Sequence, residues 1–392
     1  MVKISYLFSI VTALSFTVGC QSTTTVNETQ TSSSNSSTFE WKLPKGVYPP
    51  KVPDDNPMSE AKVELGRHLF YDTRLSANQE QSCSSCHLQA FAFADHNKVG
   101  IGSTGAHSLR NPNSLTNTGY YTSYSWANPA LDTLERFIVL PIIGDDPIEL
   151  GVTEEMQPEV FARFENNETY QNMFKAAFPD IENPIKLEFI VKALAAFNRT
   201  LNSFNSPYDK YLAGDANALT PAQQRGHDLF MGERAECFHC HDGIHFSDST
   251  ANEKSFQNVQ FFHNIGLYNV DDEGSYPEGN QGLYEITAKN TDKGKFKAPS
   301  LRNVAVTFPY MHDGSMATLQ EVIELHSNGG RDIQSGENAG MGTQNPFRSD
   351  FITRKDFTQQ EKDDLIAFLH ALTDNDFITD PKLSDPFNNK GF

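Results

Sequence analysis

Two short strings carry most of the chemistry in this sequence: Cys83-Ser84-Ser85-Cys86-His87 and Cys237-Phe238-His239-Cys240-His241. Two thiols one helical turn apart can add to the two vinyl groups of a haem, and the adjacent imidazole then lies under the iron as proximal ligand. One such string alone could hold zinc or cycle as a redox disulfide. Here the two strings use every cysteine except Cys20. That pattern points to two covalently bound haem c groups, with a zinc ribbon or redox disulfide as the alternative.

The segments that must position these strings repeat. Before the first stands Ser59-Glu-Ala-Lys-Val-Glu-Leu-Gly66-Arg-His-Leu69-Phe70, and before the second Thr220-Pro-Ala-Gln-Gln-Arg-Gly226-His-Asp-Leu229-Phe230. Each opens with a hydroxyl residue suited to cap a helix, and Thr220 with Gln223 forms a capping box followed by Pro221 at the first helical position. Each then carries Gly-x-x-Leu-Phe, where the glycine would let another helix approach closely. A closing helix is expected over Leu194–Leu201 in one half and Leu365–Leu372 in the other, the latter started by the box Thr358 and Glu361. Helix, haem motif, long loops and helix, twice over, give a mainly α fold of two tandem class I cytochrome c-like domains, each with one covalent c-type haem.

The boundaries follow: 1–20 a signal peptide, 21–45 a flexible tether, 46–206 the N-terminal domain, 207–219 a link, 220–376 the C-terminal domain and 377–392 a loosely structured tail. In the leader, one Lys and an apolar run precede Thr17-Val18-Gly19-Cys20, which resembles a lipobox whose cysteine is acylated; an ordinary cleaved signal is the alternative. Either reading sends the chain to the periplasm, and the first ties it to a bacterial membrane by a lipid alone. Ser, Thr, Asn and Gln dominate residues 21–38, as a tether requires. With 392 residues, 38% hydrophobic, the chain is long enough for two domains and too polar for a multi-span membrane protein. Its net charge of −19 argues against nucleic acid or anionic lipid as a partner.

Beyond the haem strings, the runs Gly66-Arg-His-Leu-Phe-Tyr-Asp-Thr-Arg-Leu-Ser76, Arg110-Asn111, Pro147-Ile-Glu149-Leu-Gly151, Lys297-Ala-Pro-Ser-Leu-Arg-Asn-Val304 and Pro309-Tyr-Met-His312-Asp-Gly resemble bacterial dihaem cytochrome c peroxidases and the related MauG enzymes. The wording from Asp55 to Gly66 and the run Trp126-Ala-Asn-Pro are similar to the MbnH-like branch. The resemblance spans about Asn56 to Leu372. It implies an N-terminal haem that meets hydrogen peroxide, with His87 proximal and an open distal side. Glu149 matches the distal acid, and peroxide chemistry needs a base that takes a proton from one oxygen and returns it to the other; Asp146 is the next candidate. The second distal polar residue of the family falls here on Phe137, a departure that alters proton delivery. A switch histidine is not in register, and His107 is the nearest substitute.

The resemblance also implies that Trp126 is the conduit between the haems. It further implies a calcium ion held by the Asn111 side chain and the carbonyls of Thr307 and Pro309, hard oxygen donors that suit that ion. His312 is expected to hydrogen-bond near the second haem. That haem takes His241 as proximal ligand, and the family register for the sixth ligand, Met in the peroxidases and Tyr in MauG, falls on His326. Met311 and Met316 are the competing ligands. The spacing of Leu319, Val322, Ile323 and His326 on a helix turns the histidine inward. A second imidazole lowers a haem potential where a thioether raises it. The function so implied is oxidation of a partner protein residue with hydrogen peroxide. The alternatives are a peroxidase fed by a cytochrome c or cupredoxin-type donor, and a dihaem electron-transfer protein without peroxide chemistry.

Overall fold

In the computed structural model, which describes residues 39–388, the chain is mainly helical. Ten α-helices occur among the described residues: α1 Glu60–Tyr71, α2 Leu134–Ile143, α3 Gln157–Glu165, α4 Glu168–Ala177, α5 Leu187–Arg199, α6 Pro207–Leu212, α7 Pro221–Phe230, α8 Tyr284–Thr287, α9 Leu319–Asn328 and α10 Gln359–His370. A two-residue antiparallel pair, β1 Asp332–Ile333 and β2 Gly340–Met341, is the only sheet among those residues. None of their helices is long and apolar enough to cross a membrane. The signal peptide, Cys20 and residues 21–38 of the tether lie outside the described residues.

Two helix pairs organise the chain, and the repeated glycines set them. A Cβ on Gly66 of α1 would stand 2.0 Å from the Ala193 carbonyl oxygen of α5; one on Gly226 of α7 would stand 1.9 Å from the Asp364 carbonyl oxygen of α10. Only a residue without a Cβ permits either crossing. The expected caps are in place: Ser59 accepts from the Lys62 N–H, and Thr220–Gln223 and Thr358–Glu361 are reciprocal boxes. Leu65, Leu69, Phe70, Leu194 and Phe197 lead the core under α1 and α5, and Phe230, Leu365, Phe368 and Leu369 the core between α7 and α10.

The link carries a helix, and the tail expected to be loose is ordered. Six residues of the link at 207–219 form α6, started by a Ser206–Asp209 capping box, and its Tyr208 is buried in the second core. Asp209 forms a bidentate pair with the fully buried Arg302, at 2.9 and 2.8 Å. The tail at 377–392 is not loose over its described residues. Phe377 is buried against Phe93 in the first core and the Tyr71 hydroxyl donates to the Leu383 carbonyl at 2.8 Å; just before the tail, Asp374 accepts from the Ser203 hydroxyl and the Asn205 N–H. A few apolar and capping contacts anchor it, too sparse to stand out from a polar composition.

Candidate functional site

Both Cys-x-x-Cys-His strings fold alike. Each begins as a short 3₁₀ turn, Cys83–Ser85 or Cys237–His239, and the histidine N–H donates to the first cysteine's carbonyl at 3.0 Å in both. The ring is then fixed from its other side: His87 Nδ1 bonds the Phe93 carbonyl at 2.8 Å, and His241 Nδ1 bonds the Phe246 carbonyl at 3.0 Å. Because a carbonyl only accepts, Nδ1 carries the proton and Nε2 is left as a lone pair, the arrangement a metal-ligating histidine needs. Burial lowers the pKa of both rings, which keeps them neutral.

The two anchoring phenylalanines share an uncommon backbone. Phe93 has φ +58° and Phe246 φ +53°, left-handed values that are costly for a bulky residue, and both side chains are fully buried. Each core therefore holds a strained residue whose carbonyl aims an imidazole. Nothing in residue preference announces this, but Phe93-x-Asp95 and Phe246-x-Asp248 recur after the two strings and are the signal that could have found it.

Around the first string, Glu149 is pinned by its neighbours. Its carbonyl accepts from Ser103 N–H at 2.7 Å, Leu150 N–H reaches the Pro141 carbonyl of α2, and Ala77 N–H reaches the Leu150 carbonyl. Glu149 lies close enough to Cys83 and Cys86 for its charge to act on both thiols, while burial pushes Cys83 up to about 12 and Cys86 to about 11. Glu149 is exposed at the surface, yet protein packed round its carboxyl desolvates it enough to raise its pKa. Asp146 is exposed on the same loop. Phe137 stacks on Tyr124 against the first core, so this departure from the family leaves an apolar wall. His107 is exposed on the hairpin that bridges Ile101 to His107, whose Ser103 holds the Glu149 carbonyl.

The second string opens onto a largely apolar cavity. Cys237, Cys240, His241, His326, Met311 and Trp126 all line it. His326 comes from α9, whose Thr318–Glu321 box fixes the helix start. Burial and the nearby His241 lower its pKa to about 4, and its ring makes no hydrogen bond to a described residue. Met311 shares the cavity, whereas Met316 is buried in a third core with Leu267, Tyr268, Tyr276 and Phe296. His263 was not foreseen. Although burial opposes its charge, a 2.6 Å contact with Asp248 lifts it to about 10.

Trp126 lines this cavity and donates its Nε1–H to the Asn111 carbonyl at 2.8 Å. The Asn111 N–H in turn donates to the His312 carbonyl at 2.8 Å, so one strand of contacts joins the indole to the Pro309–Gly314 loop. The Asn111 amide donates to the Asn97 and Lys98 carbonyls at 3.1 Å, leaving Oδ1 with no donor among the described residues. The Thr307 and Pro309 carbonyls likewise accept no hydrogen bond there. His312 does not make the hydrogen bond expected of it with any described residue: it stacks on Phe296 at 3.7 Å with its Nε2 buried and unpaired.

The profile of the di-haem cytochrome c peroxidase family matches residues 60–217. The chain is 33% identical to the cytochrome-c peroxidase IdrP1 of Pseudomonas sp. (strain SCT), over 87% of this chain and 88% of that protein. It is 30% identical to the methylamine utilization protein MauG of Methylorubrum extorquens (strain ATCC 14718 / DSM 1338 / JCM 2805 / NCIMB 9133 / AM1), over 85% and 83% respectively. Among solved structures it is similar to a MauG-like protein associated with microbial copper homeostasis. That match has 51% identity and a TM-score of 0.87, and covers 89% of this chain and 99% of the other.

Proposed function

The chain belongs to the di-haem cytochrome c peroxidase and MauG family and is an oxidoreductase acting with peroxide, and from that premise we propose that it oxidises a residue of a partner protein by long-range electron transfer. The observation that carries the choice is that His241, His326 and Trp126 line one cavity. The 51% identity to the MauG-like structure supports the same side.

The residues fit two haem groups, one in each of two class I cytochrome c-like halves. Cys83 and Cys86 would bind one covalently with His87 as an iron ligand, and Cys237 and Cys240 the other with His241 and His326 as iron ligands. When bound, the two irons supply the electron-transfer capacity with which peroxide is reduced. Glu149, raised toward the operating pH by desolvation, takes a proton from one peroxide oxygen and returns it to the departing one. Trp126, fixed by its bond to the Asn111 carbonyl, carries electrons between the two haem-binding halves. Asn111 Oδ1 and the Thr307 and Pro309 carbonyls offer hard oxygen donors for calcium. Cys20 anchors the mature chain to a bacterial membrane from the periplasmic side; Cys20→Ala should release it to the soluble fraction, and unchanged fractionation would refute the anchor.

Adding peroxide to the fully ferric protein, with and without a reduced cytochrome c, tests the activity. A spectral reaction in the absence of any donor is expected. A requirement for prior reduction would favour the peroxidase fed by a soluble donor.

A further inference from the structure

Next to Trp126 the third core forms an unbroken aromatic series. Trp126 and His312 have ring centres 6.4 Å apart, His312 and Tyr276 6.1 Å, and Tyr276 and Tyr268 5.4 Å. All four are at least partly buried, with Tyr276 1% and Tyr268 5% exposed. Beyond Tyr268 stands Arg331, its guanidinium carbon 4.5 Å from that ring, and Arg331 lines a surface groove with Glu321, Glu324 and Asp332. The series therefore leads from the cavity lining, through Tyr268, to the Arg331 side chain that lines an outer groove.

The two phenols in it are bonded differently. Tyr276 donates to the Asn264 amide oxygen at 2.9 Å and accepts from the Leu267 N–H, so no base faces its proton. Tyr268 donates to Asp313 Oδ2 at 2.5 Å, and the other Asp313 oxygen accepts from the Ser315 N–H at 3.1 Å. A phenol loses an electron readily only if its proton leaves with it, because the protonated radical is a strong acid. A carboxylate at hydrogen-bond distance is the acceptor such a step needs.

We propose that Tyr268 is a redox relay between Trp126 and the groove, with Asp313 as its proton acceptor. The proposal rests on the peroxide reading above and extends it to the route by which oxidising equivalents leave. As one electron passes from the Tyr268 ring through Tyr276 and His312 to oxidised Trp126, the phenol O–H breaks and its proton joins Asp313 Oδ2. Peroxide is the terminal oxidant. An electron from the partner then reduces the tyrosyl, and Asp313 gives the proton back. Tyr170 in the first half is the built-in control: it also donates to a carboxylate, Asp72, at 2.6 Å, but Arg74 engages both oxygens of that acid and Tyr170 lies outside the aromatic series.

Freeze-quenched electron paramagnetic resonance of the haem-loaded protein after peroxide tests this. A tyrosyl signal is expected that narrows with ring-deuterated tyrosine, disappears in Tyr268→Phe and survives in Tyr170→Phe. Asp313→Asn, which keeps an acceptor oxygen but not a base, should form it about a hundredfold more slowly. The labelled wild-type chain supplies a readout independent of how any variant folds. Flash photo-oxidation with ruthenium tris-bipyridyl and persulfate should place the same signal on Tyr268 without peroxide. If peroxide is consumed and neither treatment gives a Tyr268-dependent signal, the relay is wrong and the activity stands. If photo-oxidation alone gives it and peroxide is not consumed, the peroxide reading falls; if peroxide is consumed and photo-oxidation alone gives it, the relay is wrong.

Discussion

The two halves of this molecule build one histidine mount and surround it differently. His87 and His241 sit in the same turn, each aimed by the carbonyl of a buried left-handed phenylalanine. Each half also buries an arginine against a carboxylate: Arg199 with Glu135 at 2.8 and 2.7 Å in the first, Arg302 with Asp209 in the second. What differs is the group nearby. The first string has a desolvated carboxyl, Glu149, and the second shares a cavity with an imidazole, His326. A carboxyl moves protons and a second imidazole fills a coordination position. Under the function proposed above, the same mount would serve a reacting site in one half and a closed electron site in the other.

The comparison breaks most visibly at Glu149. Glu149→Gln should leave haem attachment and the resting spectrum intact yet slow the peroxide reaction about 10²–10⁴-fold, measured by stopped flow. Unchanged kinetics would remove the acid from the first half's assignment and direct attention to Asp146.

The buried pairs come next, and here the halves should behave alike. Removing one charge from such a pair costs about 3–5 kcal/mol because its partner stays buried and unpaired, so Asp209→Asn and Glu135→Gln should each lower the denaturation midpoint. Burial alone would raise both carboxyls, but the guanidinium bonds outweigh it and hold them below the ordinary range. The stability they contribute is therefore complete above the unfolded values, about 3.9 for Asp and 4.3 for Glu, and is lost as pH falls through the lowered folded values. Each neutral variant should show a shallower loss of stability on acidification than the wild type; equal slopes would mean that the pairs are not linked to folding.

The smallest effect tests the helix crossings. Gly66→Ala and Gly226→Ala each place a methyl against a facing carbonyl, and overpacking of this kind costs about 1–3 kcal/mol. Similar losses are expected in the two halves by urea denaturation. A neutral result at either site would show that its helix pair slides apart without penalty.

Much of this plan was legible in the sequence. The cysteine strings, the capping boxes and the two glycines are written in residue types with few other uses, and the structure puts the boxes and the glycines where their chemistry places them. The phenylalanine anchors were hidden because a left-handed Phe has no signature of its own; only the repeat of Phe-x-Asp betrays it. The third core was hidden because Trp126, Tyr268, Tyr276 and Phe296 are scattered over about 170 residues without a helical or strand period. The order of the tail hung on single anchors such as Phe377 and the Leu383 carbonyl. Those partners lie far away in the chain, beyond the reach of any local pattern.

The central claim, one mount with two distal groups, meets its most direct test in the resting ferric protein. Electron paramagnetic resonance and near-infrared absorption should show one high-spin haem and one low-spin bis-histidine haem, with no methionine–iron band. In His326→Ala the second haem should become high-spin or open to small ligands. A methionine–iron band in the wild type, pointing to Met311, or a second haem that stays low-spin and unreactive in His326→Ala, would contradict the account.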